Sequence, residues 1–191
     1  MLHKIKSPET IALSIVPGGA FAPQGQLHKL DLAWMLTTTV AEVEKTGLVT
    51  WGIFGLDVSF NDLSAKIQQN GFQGQVYGFV ETANRQKLRD QLKTAFPPTD
   101  TVSKPVRTRR FDGTAKGASY ALKFQFVRRV SYWDDKCERP CWRTRKVSLR
   151  APEHVELMLA LDRLGLHRRI ATIGLHPSQF GNHVGLDWDI E

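Results

Sequence analysis

Between residues 48 and 124 the chain alternates strand-like and helix-like segments, and this order limits the folds open to it more than any other feature. "LVTWGIFGLDVSF" (48–60) is β-branched and aromatic, with glycines at 52 and 55, and reads as a strand. "NDLSAKIQQNG" (61–71) begins with the helix-capping candidates Asn61 and Asp62 and closes on Gly71, which suits a short helix. "QVYGFVE" (75–81) is a second strand. "NRQKLRDQLKTAF" (84–96) is a surface helix with Leu88, Leu92 and Phe96 on one side and Pro97–Pro98 as its stop. "VSKPVRTRRF" (102–111) is a third strand, placed at an edge because Pro105 withholds a ladder donor. "TAKGASYALKF" (114–124) is helical in pattern. This order predicts an α+β fold, a ferredoxin-like split βαβ antiparallel sheet with helices on one side.

The flanks add fewer elements. Residues 1–26 are rich in Pro and Gly around the apolar run "IALSIV" (11–16), which is too short and too interrupted for a signal peptide and reads as a buried strand. Leu27 to Lys45 places Leu27, Leu30, Trp34, Val40 and Val43 at helical spacing. After residue 125, "QFVRRVSYW" and "CWRTRKVSL" predict a β-hairpin around the polar turn "DDKCERP". "PEHVELMLALDRLG" (152–165) has Pro152, Glu153 and Glu156 at its start and Gly165 at its end, and its apolar stripe of Val155, Met158, Leu159, Leu161, Leu164 and Leu166 is expected in the core. Glu156 and Asp162 read as surface charges. One strand is expected in the tail. The chain thus divides into an N-terminal strand, loop and helix (1–47), an α+β core (48–125) and a basic hairpin with a C-terminal helix and tail (126–191), packed as one compact domain.

Charge points to a partner. Residues 104–150 hold fourteen Lys and Arg against four Asp and Glu, whereas the rest of the chain holds twelve against fifteen. Cations concentrated in a quarter of a protein are the footprint of a polyanion, through phosphate neutralisation and counterion release. No apolar run approaches the roughly 20 residues of a membrane span, so no membrane partner is expected. Two cysteines, Cys137 and Cys141, make no disulfide framework, which points to a reducing cytoplasm. Zinc would need two further ligands, and the pair reads as two thiols in a tight turn.

The segment "YALK" puts Tyr120 and Lys123 one turn apart on an expected helix, two elements after the strand "GQVYGFVE". In this the chain resembles the HUH endonucleases, the rolling-circle replication initiators and relaxases of plasmids and phages. In that family a central strand carries two metal-binding His residues and a later helix carries the catalytic Tyr, often as Tyr-x-x-Lys. The resemblance covers about 80 residues and implies that Tyr120 attacks a DNA phosphodiester and holds the 5′ phosphate, assisted by Lys123 and a Mg²⁺ or Mn²⁺ ion. The chain departs from the family at Gln75-Val76-Tyr77, where a His-hydrophobic-His triplet belongs. Residues i and i+2 of a strand share a face, but an amide and a phenol are poor ligands beside two imidazoles. The six histidines (3, 28, 154, 167, 176 and 183) show no paired metal spacing. Asp57 and Glu81 are oxygen donors suited to Mg²⁺, and equally ordinary strand-end carboxylates. Tyr120 has a second reading as well, packed with Phe124 on the apolar side of its helix.

The hairpin carries the stronger signal. Phe126, Arg128, Val130 and Tyr132 alternate with Val127, Arg129, Ser131 and Trp133, and the return strand adds Trp142, Arg143, Arg145, Lys146 and Arg150. Cations beside aromatics suit phosphate contact with base stacking. Arg107, Arg109 and Arg110 on the preceding strand extend the set. The expected function is nucleic-acid binding, DNA first. The alternative is a small regulatory or inhibitory protein that turns the same basic surface on a protein or ribonucleoprotein.

Overall fold

The computed structural model describes residues 7, 9–62, 70–111, 114, 126–135 and 141–175. Its spine is a pair of long strands, β3 (Trp51–Asp62) and β4 (Gly71–Glu81), antiparallel from Trp51 opposite Glu81 to Asn61 opposite Gly71. The outer edge of each is shared by two short strands. Along β4 lie β1 (Thr10–Ile15) and β2 (Phe21–Pro23), both antiparallel to it. Along β3 lie β8 (Ile170–Ile173), antiparallel, and β6 (Arg128–Asp134), parallel. β5 (Val106–Arg110) continues the sheet beyond β1, and β7 (Cys141–Val147) beyond β6. The result is an eight-stranded sheet of order β5-β1-β4-β3-β6-β7, with β2 and β8 on the remaining edge positions.

The fold is α+β, as the segment order predicts, but the sheet is mixed rather than antiparallel. β8 occupies the Gly52–Gly55 half of the β3 edge, so β6 pairs only at Phe60–Asp62, running with β3 and on past Asp62. The apolar run at 11–16 is β1, buried between β4 and β5. Of the helix expected over 61–71, Asn61, Asp62 and Gly71 belong to β3 and β4, and residues 63–69 lie outside the described residues. The helix expected over 114–124 lies outside them too, apart from Thr114.

Among the described residues three helices pack on one side of the sheet. α1 (Leu32–Lys45) starts later than the apolar spacing suggests, because the Asp31 carboxylate caps it by accepting from the Trp34 N–H at 2.8 Å. That start buries Leu32, Met35, Leu36, Val40 and Val43 and turns Trp34 outward, 56% exposed. Leu27, expected in the helix, is buried in a separate 3₁₀ turn (Leu27–Lys29). α2 (Arg85–Ala95) is capped by the Asn84 side chain on the Lys87 N–H and buries Leu88 and Leu92 completely. Each of these leucines contributes about 1.5–3 kcal/mol of apolar burial. α3 (Ala151–Leu164) ends at Gly165, whose φ of 76° only glycine adopts without strain. It buries Leu157, Leu161 and Leu164, whereas Val155, Met158 and Leu159 face solvent, so only part of the expected core stripe packs.

Strand alternation explains the main core. Phe54, Leu56, Val58 and Phe60 of β3 join Phe72, Val76 and Val80 of β4 and Ile11, Leu13 and Ile15 of β1 in one cluster with the helical leucines. The opposite side presents Gln75, Tyr77 and Phe79 of β4, with a small second cluster of Ala12 and Phe79.

Two glycines of β4 let other groups approach closely, and they differ in what a methyl group would meet. At Gly78 a Cβ runs into the Ile53 carbonyl oxygen, which is backbone of the spine, and into the Phe54 ring. At Gly74 it meets the flexible Met35 thioether at 2.7 Å. Gly78→Ala should therefore destabilise by about 3 kcal/mol and Gly74→Ala by about 1 kcal/mol or less. Equal midpoints in urea denaturation would contradict this packing.

Candidate nucleic-acid interface

The hairpin of β6 and β7 is held at its base by a buried ion cluster. Arg128, opposite Phe60, turns to the helix side, and its guanidinium is bound by the Asp62 carboxylate. Its Nε also lies 3.6 Å from Glu153 Oε1 in the first turn of α3. The second Glu153 oxygen accepts from the Arg150 N–H at 2.9 Å, so one carboxylate caps the helix and faces the arginine. All three residues are buried. Arg128 is thus a correction to the expected binding set: its charge is taken up by two acids inside the fold. Asp62 and Glu153 were missed because residues this far from Arg128 in sequence carry no local signal of their partner.

Beyond Arg128 the cross-strand register sorts the remaining residues. Arg129 faces Lys146, Ser131 faces Thr144 and Trp133 faces Trp142, all on the side away from the helices. The two indoles meet edge-on with centroids 5.6 Å apart and an interplanar angle of 72°. They stay 52% and 40% exposed. The other side of the hairpin, which continues the Arg128 side, carries Val130, Tyr132, Arg143, Arg145 and Val147. Arg143 is bridged to Asp134 at 3.0 Å, and Tyr132, Arg143 and Arg145 are exposed. The basic residues expected as one patch therefore divide between the two faces of a projecting ribbon.

Arg107 and Arg109 are exposed on β5, on the same side of the sheet as Ser14, Tyr77 and Phe79, while Arg110 alternates to the helix side. The register places Arg107 about 20 Å and Arg109 about 26 Å along the strands from Arg129, and both about 19 Å across them. Between them Phe79 stacks edge-on against Tyr77 (5.6 Å) and Phe111 (4.6 Å). Arg85 of α2 fixes β5 from behind, its guanidinium donating to the Thr108 carbonyl at 2.6 Å.

The residues nearest to a metal site do not form one. Gln75 and Tyr77 share a face, but the Gln75 amide donates to Ser14 Oγ at 2.8 Å. Asp57 lies opposite Gln75, and Glu81 lies opposite Trp51, where its carboxylate accepts from the Thr50 hydroxyl at 2.8 Å. Six residues of strand, about 20 Å, separate the two acids, so they cannot share an ion. Among the described residues no group of three or more His, Cys, Asp or Glu side chains is placed to hold a metal. The Mg²⁺ or Mn²⁺ that the resemblance implies does not fit these side chains. Tyr120, Lys123 and Cys137 lie outside the described residues, and Cys141 is an exposed thiol at the start of β7.

Glu156, expected as an ordinary surface charge, is half-buried and has a structural contact as well. Its two oxygens accept from the Gly25 and Leu27 N–H groups at 2.8 and 2.7 Å, joining α3 to the N-terminal segment.

No protein-family model, curated protein or solved structure matches the chain. Among the described residues no helix is long and apolar enough to cross a membrane.

Breaking the ion cluster should be costly. Arg128→Ala leaves two buried carboxylates facing each other and should lower stability by about 3–5 kcal/mol, whereas Arg129→Ala should cost less than about 1 kcal/mol. Chemical denaturation of the two variants checks this, and equal losses would remove Arg128 from its structural role.

Proposed function

We propose that this chain binds single-stranded nucleic acid, DNA first, on the hairpin face that holds Arg129, Trp133, Trp142 and Lys146. The observation that carries this reading is the half-exposed tryptophan pair on the same hairpin face as the cross-strand Arg129–Lys146 pair, which lies four residues nearer the sheet. Large indoles left in water on a strand pair cost apolar hydration, and base stacking with phosphate contact removes that cost in a way that tolerates any sequence. Arg107 and Arg109 supply a second cationic contact on the same side of the sheet.

The core supports a ferredoxin-like reading: β1, α1, β3, β4, α2 and β5 follow in chain order, and their strands lie side by side as β5-β1-β4-β3, all antiparallel. We read the chain as a degenerate relative of the HUH endonucleases that keeps nucleic-acid binding, and derive no nicking step, because its candidate ligands stand apart. A DNA adduct that survives denaturant with Mg²⁺ or Mn²⁺ and disappears in Tyr120→Phe would add catalysis to this reading. The other reading, a regulatory protein acting on a protein or ribonucleoprotein, draws on the exposed Val155, Leu159 and Leu166 at the C-terminal helix.

Fluorescence anisotropy with a labelled DNA strand tests the proposal. If four cations meet phosphates, log affinity should fall with log salt at a slope of about −3. Trp133→Ala and Trp142→Ala should each weaken binding by about 1–3 kcal/mol. Binding that ignores both salt and the tryptophans would favour a protein partner.

A further inference from the structure

The hairpin has two faces of the same chemical kind, and one strand of nucleic acid engages only one of them. On the side away from the helices lie Trp133 and Trp142 with Arg129 and Lys146. On the helix side lie Tyr132, 38% exposed, with Arg143 and Arg145. Asp134 offsets part of the Arg143 charge, which leaves Arg145 as the main cation of that face. The ribbon overlaps β3 only at Phe60–Asp62, and the residues from Ser131 to Asp134 with their partners extend beyond that pairing.

The helix-side face leads into a groove. Val147 lies two residues, about 7 Å, from Arg145 on the same side of β7, and it forms one wall of an open cavity of about 1130 Å³. Met158, Leu159 and Leu166 make an apolar floor, with Leu159 55% exposed. Arg169 completes the opposite wall, its guanidinium 5.7 Å from the centroid of the Phe126 ring. Burial pulls the Arg169 pKa down from its ordinary value. Lys146, reaching over from the tryptophan side, and Arg169 outnumber the single acid in the lining, Asp162. Apolar floor, aromatic wall and a cationic surplus suit bases and phosphates together.

We propose that the hairpin stands between the two separated strands at a single-strand/double-strand junction, one strand on the Trp133–Trp142 face and the other along Tyr132 and Arg145 into the groove. This rests on the nucleic-acid reading above and deepens it, because it assigns a partner to the cations that point away from the tryptophans. An extended ribbon is thin enough to lie between strands, and aromatic rings on both faces replace the stacking that each terminal base loses.

The test compares anisotropy titrations of a forked DNA, its single strand and its blunt duplex, with 2-aminopurine placed at the junction. The fork is expected to bind about tenfold tighter than either control, with a rise in 2-aminopurine fluorescence as the terminal pair opens. Arg145→Glu and Leu159→Glu should each abolish the fork preference and leave single-strand affinity unchanged, since neither lies on the tryptophan face. The double variant Trp133→Ala/Trp142→Ala should weaken the fork and the single strand alike. A fork bound no tighter than the single strand, or Arg145→Glu weakening both equally, would overturn the junction proposal and leave single-strand binding standing. No binding to any of the three would overturn the nucleic-acid reading itself.

Discussion

The Arg128 guanidinium holds three parts of the molecule in fixed relation. Asp62 closes the longest strand, Arg128 opens the hairpin, and Glu153 starts α3, so their mutual contact sets the direction in which the ribbon leaves the sheet. A charge buried this way must be matched, because an unpaired ion in the interior costs several kcal/mol. The cluster is therefore specific in geometry as well as in charge. With Arg128 held on the helix side, alternation along β6 determines that Arg129 and Trp133 face the other way.

Charge density and charge placement are different properties, and this chain separates them. The basic quarter of the sequence suggests a single patch, yet the side chains occupy at least three settings. Some are neutralised inside the fold, some lie on an edge strand, and some are divided over the faces of the ribbon. A two-faced arrangement is what a strand pair produces from consecutive cations such as Arg128–Arg129 or Arg145–Lys146. Adjacent residues on a strand cannot serve the same surface.

Much of the fold was legible because local patterns carried it. Asn84, Pro97 and Pro98 bracket α2, Pro152 and Gly165 bracket α3, and the alternation at 75–81 identifies β4. The tryptophan pair was not legible: the expected turn, 134–140, would set Trp133 opposite Cys141, whereas the strands extend to Asp134 opposite Cys141 and so bring Trp133 to Trp142. What else was not legible depends on contacts distant in sequence. The late start of α1 is an exception, a local cue passed over, since the cap Asp31 stands only three residues before the indole it exposes. Nothing near Glu156 reveals that its oxygens bind backbone more than a hundred residues upstream. The mixed sheet has the same origin: whether β6 runs with or against β3 depends on which half of that edge β8 has taken.

The Glu156 contact has a bearing on how the chain reaches its native state. A carboxylate in α3 that grips the amides of Gly25 and Leu27 closes a loop spanning most of the protein. β8 likewise must return to β3 across more than a hundred residues. Such closures sacrifice much chain freedom before their contacts repay it, and contacts of this sequence range slow folding. On the ribosome, the early strands must wait for α3 and β8 to emerge before the β3 edge and the N-terminal turn are covered.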